Sequence, residues 1–375
     1  MSATDPRPAA EGRGARTRVS CLPIAGEGNP YQKLMMAGLA RSGLEVRHGA
    51  PGRLFAAVRT WLRDRPHVLH YDWNYSYFLR RYRVLTALQA VAFLLDVALV
   101  RYLFRCRVAW TLHNLENHEG HQQRAEAFVQ RRFARMCDWI RVMSEASADR
   151  GARHLGLPRG RFRVVAEGSF LGYYPDEVSR AEARRALNLD DGALVLLSHG
   201  ALRPYKGVER LLEAFRSIDA PHARLVVAGP CRLPEFEREL RALAAADARV
   251  RLEIGFAPVE RVQYFFNAAD VAVLPYEQVE NSSSVILAMG FRKPVVAPAI
   301  GVLPERLRAQ GGYLYPPGGL RDMLLHVIHA APGALAQAGE RNFRAARALS
   351  WEDFAGLFAP RPSGAAAARP VGEGC

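Results

Sequence analysis

The sequence predicts an α/β fold of two Rossmann-like domains facing a cleft. Three observations carry that reading. Short apolar runs alternate with helix-length segments, the alternation restarts near Ala193, and a stretch rich in Gly, Tyr, Pro and Asp at 168–180 separates the two series. Strands joined by helix-length segments imply right-handed crossovers and parallel sheets, with ligands at the carboxyl ends of the strands. In order, a strand is expected at Arg18–Ala25, a helix at Tyr31–Ser42, and strands at Leu44–Arg47, His67–Tyr71 and Arg107–Leu112. A helix at Glu126–Met136 and a strand at Trp139–Met143 follow. The second series reads as strands at Leu194–His199, Arg224–Ala228, Arg251–Ile254, Val271–Leu274 and Pro294–Ala297. Its helices fall at Val208–Ser217, Glu235–Ala245, Val259–Asn267 and Ser284–Phe291. The domains are therefore set at 18–170 and 186–348, with a linker at 171–185, a crossing helix at 349–360, and disordered ends at 1–17 and 361–375.

Composition excludes several classes. With 375 residues, 49% hydrophobic and 23% charged, the chain is no disordered protein. Its five Cys (21, 106, 137, 231, 375) include no C-x-x-C, which argues against a disulfide framework or a Cys-built zinc site and for a reducing cytosol. No apolar stretch opens the chain, so no secretory signal is expected. The net charge of +14 is lopsided: residues 1–180 hold 28 basic and 16 acidic side chains, a surplus of 12. That half suits an anionic partner. Lysine is scarce, with only Lys33, Lys206 and Lys293, so an ammonium is a candidate for a specific task wherever it survives.

The segment Val84–Val100 is apolar nearly all round, with Asp96 its only charge and Arg at both flanks. A spanning helix needs about 20 clean apolar residues and would split the first sheet across a bilayer. The choice lies between a buried crossover helix and a helix lying in an anionic leaflet; the charge asymmetry favours the leaflet.

Two strings in the second series suit a nucleotide diphosphate. HGALRPYKGV at 199–208 follows a buried strand and opens a helix, offering glycine, free helix N–H groups, and the cations Arg203 and Lys206. LPYEQVENSSSVILAM at 274–289 repeats the strand–loop–helix pattern. There Ser282, Ser283 and Ser284 cap a helix and expose N–H groups, and Glu277 and Glu280 can accept from sugar hydroxyls.

Together these strings resemble the donor domain of GT-B glycosyltransferases. The second resembles the family's E-x7-E loop, with Glu280 at the first Glu and Leu287 where the second falls. The strings RPYKG and ENSSSVILAMGFRKPVVAP are more similar to bacterial exopolysaccharide enzymes, the lipid-linked β-1,4-mannosyltransferases of xanthan-type assembly among them. In those an N-S-G loop stands where this chain has Asn281, Ser282 and Ser283. The loop GEGNPYQK at 26–33, with Gly28, and the TLHNLENHE element at 111–119 resemble the same enzymes, and SWEDF at 350–354 resembles their closing helix. Glu167-Gly168 departs from a frequent His-Gly.

The resemblance implies transfer of a hexose, mannose first, from a nucleotide-diphospho-sugar such as GDP-mannose. The acceptor would be a hydroxyl of a glycan or a polyprenyl-diphosphate-linked precursor, met at the inner face of the cell membrane by a cytoplasmic, peripheral enzyme. Such transfer needs a cationic grip on the departing diphosphate, for which Arg203 and Lys206 are candidates. It also needs a carboxylate to deprotonate the acceptor if the anomeric centre inverts: Asp72 or Glu119, with Glu27 a third. His113, at a strand end, suits a donor-sugar hydroxyl or the acceptor. No metal cofactor is expected, because nothing completes a site around His113, His118 and His121. The rivals are a sugar-nucleotide epimerase on the same fold, a sugar-binding pseudoenzyme, and a non-catalytic binder of anionic polymers. Nucleic acid is not expected as a partner, since no zinc-finger or RNP-like string is present.

Overall fold

A computed structural model describes residues 16–26, 29–115 and 122–358. The first series runs β1 (Arg18–Leu22), α1 (Pro30–Arg41), β2 (Glu45–His48), α2 (Ala56–Asp64), β3 (Val68–Tyr71), α3 (Arg83–Ala98) and β4 (Arg107–Thr111). It continues with α4 (Gln123–Met136), β5 (Trp139–Val142), α5 (Glu145–Leu155) and β6 (Phe162–Val164). The second runs α6 (Arg180–Ala186), β7 (Leu194–His199), α7 (Val208–Arg216), β8 (Ala223–Gly229), α8 (Pro234–Ala245), β9 (Val250–Ile254) and α9 (Val259–Ala268). It closes with β10 (Val271–Val273), α10 (Ser283–Gly290), β11 (Val295–Pro298), α11 (Leu303–Leu307), β12 (Gly312–Tyr315), α12 (Leu320–Ile328) and α13 (Pro332–Arg347).

These strands form two six-stranded sheets, ordered β2-β1-β3-β4-β5-β6 and β12-β11-β10-β7-β8-β9. The pairings with a defined register, such as Leu196 beside both Leu225 and Val271, are parallel. This is the α/β fold of the GT-B kind. Parallel strands covered on both faces must be apolar throughout, and β3, β5 and β11 are buried at every position. In the second sheet Leu196, Val227, Val273 and Val296 build one core with Leu211 and Phe215 of α7 and Leu324 of α12.

Tertiary contacts divide the chain into two units. Unit 1 holds the described residues up to Ala109, Met136–Asp138 and those from Glu352; unit 2 holds the rest. The expected linker contains α6, capped by Ser179, whose side chain accepts from Glu182 N. The closing segment is a 3-10 helix, Glu352–Phe358, which packs on α1 within unit 1, with Arg41 Nε 2.5 Å from Glu352 Oε1. Phe354 and Phe358 meet the His70 ring edge-on.

Candidate active site

In unit 2 the strand order reverses between β7 and β10, which is where an open parallel sheet leaves a crevice for a ligand. Both motif strings start there. Gly200 follows β7 with φ +134°, and a Cβ placed on it would lie 3.2 Å from both Lys206 Nζ and Ser284 Oγ. Main chain, ammonium and hydroxyl thus converge on one point. Gly207 has φ +65°, and its missing side chain lets the Pro204–Lys206 turn lie against the loop after β10, where a Cβ would meet Pro275 O at 2.3 Å. Glu277 N donates to Tyr205 O at 2.9 Å, fastening one string to the other. α7 begins after Gly207 without a side-chain cap, which leaves its N-terminus open apart from the N–H of Glu209, engaged by that residue's own carboxylate. The shallow recess is lined among others by Ser198, His199, Gly200, Lys206, Pro275 and Tyr276.

The electrostatics favour an anion. Burial holds the Lys206 ammonium below its ordinary pKa, and the neighbouring Arg203 lowers it further against an opposing effect of Tyr205; no carboxylate is among the charges acting on it. His199 is pushed down to about 4, by burial first and by Lys206 second, so it is neutral near pH 7. A half-buried cation with no counter-charge among the described residues carries a desolvation cost that an anionic ligand relieves.

The three adjacent serines do three things. Ser282 caps α10, accepting from Val285 N at 3.3 Å, and its hydroxyl sits 2.8 Å from Tyr276 Oη. Ser283 donates to Glu167 Oε1 at 2.6 Å, while Asn281 Nδ2 donates to Glu167 Oε2 at 2.5 Å. Only Ser284 faces Gly200 and Lys206. The carboxylates expected to meet sugar hydroxyls are already engaged: Glu280 pairs with Arg150 Nη2 at 2.7 Å, and Glu277 pairs with Arg210 Nε at 2.7 Å. Leu287, at the family's second carboxylate position, is buried. Of the other two lysines, Lys293 donates to Ala269 O as a structural group, and Lys33 lies on α1.

In unit 1 the order reverses between β1 and β3. Gln32 ties these two strand ends together. Its Nε2 donates to Pro23 O at 2.9 Å and to Asp72 Oδ2 at 3.2 Å, and its Oε1 accepts from Ala25 N at 2.8 Å. Asp72 is therefore enclosed, 2% exposed, with His70 Nδ1 at 4.0 Å. Gly28 and Glu27 in the loop after β1 lie outside the described residues, as do Glu119, His118 and His121. His113 is half-buried just past the end of β4. Among the described residues no three His, Cys, Asp or Glu side chains are placed to hold a metal ion.

Sequence reasoning missed Glu167, Gln32, Arg150 and Tyr276. Glu167 carried a signal as a departure from the His-Gly frequent in the resembled family; Gln32 and Arg150 act partly through partners 40 and 130 positions away, and Tyr276 through Ser282, six positions on.

Two parallel sheets, with a recess at the switch point of the second, give this chain the GT-B fold. Residues 179–330 match the family described as Glycosyl transferases group 1, and the chain carries that domain. It is similar to GDP-mannose:glycolipid 4-beta-D-mannosyltransferase of Xanthomonas campestris pv. campestris, 30% identical over 250 residues, 65% of this chain and 64% of that one. It is also similar to D-inositol 3-phosphate glycosyltransferase of Streptomyces bingchenggensis, 29% identical over 235 residues, 59% of this chain and 52% of the relative. The chain thus spans less than two thirds of the length of these relatives. Sucrose-phosphate synthase from Thermosynechococcus elongatus shares the fold with a TM-score of 0.72 at 19% identity, over 91% of this chain and 97% of that one. Anabaena HepE in complex with UDP and glucose gives 0.71 at 15% identity, over 91% and 98%.

Proposed function

We propose that the protein is a glycosyltransferase that moves a hexose, mannose first, from a nucleotide-diphospho-sugar to a hydroxyl of a lipid-linked glycan during exopolysaccharide assembly. One observation carries this. Lys206 Nζ, Ser284 Oγ and the Gly200 main chain converge at a switch point, with Arg203 beside them and no carboxylate acting on the ammonium. A leaving nucleoside diphosphate gains charge as the anomeric bond breaks, and preorganised cations there lower the barrier without a metal. The mannosyl donor and glycolipid acceptor are supported by the name of the X. campestris relative, and the use of a nucleotide-sugar by HepE bound to UDP-glucose.

Glu167 holds Asn281 and Ser283, and Ser282 caps α10, so the loop presenting Ser284 is fixed before the donor arrives. Asp72 is the proposed base among the described residues, with Glu119 its alternative and His113 a hydroxyl-binding partner. Cytoplasmic work at the inner membrane face follows from a lipid-linked acceptor. The test is transfer from GDP-mannose to extracted glycolipid by wild type and by the double variant Arg203→Ala/Lys206→Ala. Transfer should fall by about three orders of magnitude with the fold intact. Near-normal transfer by the variant would remove the assignment.

A further inference from the structure

In the described residues, seventeen large hydrophobic side chains stay exposed, and twelve of them lie between Leu54 and Leu103. They are organised. α3 runs on through a π-helical turn at Leu99–Leu103, giving a 21-residue helix long and apolar enough by composition to cross a membrane, yet only 28% of its most apolar window is buried. Val84 (71% exposed), Leu88 (63%), Val91 (67%), Leu95 (50%) and Tyr102 (64%) recur at helical spacing along one face. The usual amphipathic pattern is reversed, because the one carboxylate of this helix points inward. Asp96 Oδ2 accepts from Ala57 N at 2.8 Å and Oδ1 from Val58 N at 2.9 Å.

That carboxylate supplies the cap that Phe55, at φ +48°, does not give α2. It clamps α2 beside α3, and α2 with the turn before it carries the further exposed apolar side chains Leu54, Phe55 and Leu62. Trp61 of α2 stacks on Phe104 at 4.0 Å, closing the far end.

The charge around these apolar groups has one sign. Residues 53–105 contain nine Arg and three Asp. All three carboxylates are withdrawn: the Asp64 side chain is 4% exposed and that of Asp72 0%, and Asp96 is 2% exposed. Arg53, Arg59, Arg65, Arg81, Arg83 and Arg105 remain exposed.

We infer that the α2–α3 surface of unit 1 is an in-plane docking site for an anionic phospholipid leaflet. The proposal rests on the lipid-linked acceptor above and names the surface and lipid chemistry that reaching it would use. Aliphatic groups enter the acyl boundary while arginines at the rim meet headgroup phosphates. Spanning is excluded by the Asp96 clamp, since crossing the bilayer would strip α2 from α3 and bury that carboxylate in hydrocarbon. The mixed composition predicts a mixed salt response: an electrostatic part that screening removes and an apolar part that persists.

The test is co-sedimentation of the full chain with phosphatidylcholine vesicles, with and without one third phosphatidylglycerol. Wild type, Val84→Gln/Leu88→Gln/Val91→Gln and Arg81→Glu/Arg83→Glu are compared. Wild type should bind the anionic vesicles, retain part of that binding in 0.5 M salt, and stay free of the neutral ones at low protein. The apolar variant should lose at least tenfold at both salts. The charge variant should lose roughly fivefold per cation, at low salt only. Wild type left in the supernatant with both vesicles overturns the proposal, as does unchanged binding by the apolar variant. Lipid-free dimerisation that the Gln variant abolishes would instead assign the face to a second copy of the chain. GDP-dependent thermal stabilisation of each variant separates this result from the catalytic reading. Vesicle binding without nucleotide binding would remove the glycosyltransferase and keep the surface; the converse would do the reverse.

Discussion

α3 and α10 are the two most apolar helices in their respective units by inspection of sequence, RVLTALQAVAFLLDVA and SSVILAMG, yet they meet opposite surroundings. In α10, Val285, Ile286, Ala288 and Met289 are at most 1% exposed. In α3, Val84, Leu88, Val91 and Leu95 are all at least half exposed. An apolar helix that is buried all round is core, and its placement serves whatever its N-terminus presents. For α10 that is Ser284 above Gly200. An apolar helix left uncovered in water is paired with something outside the chain. On the proposal above the two units have different tasks: unit 2 presents a preorganised polar site, and unit 1 a surface for a lipid leaflet.

A matched pair of substitutions is the strongest way to break this contrast. Ile286→Gln should destabilise by about 3–5 kcal/mol, through lost burial and a polar group with no partner. Leu88→Gln should stay within about 0.5 kcal/mol, because its face is already hydrated. Denaturant unfolding of both measures the gap; similar losses would mean that α3 is covered in solution.

A smaller effect sharpens the account of the polar site. His199 has a folded pKa of about 4 against an ordinary 6.5, so the unfolded chain binds a proton that the folded chain refuses between those values. Its contribution to stability is present above pH 6.5 and is lost as pH falls towards 4. Replacing it with Gln should flatten that part of the stability profile by on the order of 1–3 kcal/mol. An unchanged acid slope would mean that His199 is solvated.

The core alternation was legible because parallel strands are continuous apolar runs. Leu194–His199 is found as expected, and most neighbours within one or two residues. The missed elements lack that signal. β6 is three residues at a sheet edge, in an Arg-rich stretch. α13 is interrupted by Gly339, which reads as a breaker but is needed because a Cβ would lie 1.9 Å from Arg292 O. The Arg203–Lys206 turn and the serine cluster fall in strand–loop–helix strings, as the sequence led one to expect, but the sequence does not sort the three serines. Their roles depend on Tyr276, Glu167 and Gly200. Nor does the sequence show that Glu280 pairs with Arg150, 130 positions earlier. Long-range polar pairings of this kind leave no periodic trace.

The central claim is that Lys206, which has no carboxylate partner among the described residues, is kept for a nucleoside diphosphate. Thermal shift with GDP, UDP and ADP, on wild type and on Lys206→Met, tests it most directly. Linkage makes the shift grow with nucleotide concentration over Kd. Wild type should be stabilised by one of the three, GDP first, with the shift largely lost in Lys206→Met while the ligand-free melting temperature stays level or rises. A UDP-selective shift would keep the site and change the donor. No shift with any nucleotide, or the same shift in the variant, would contradict the claim.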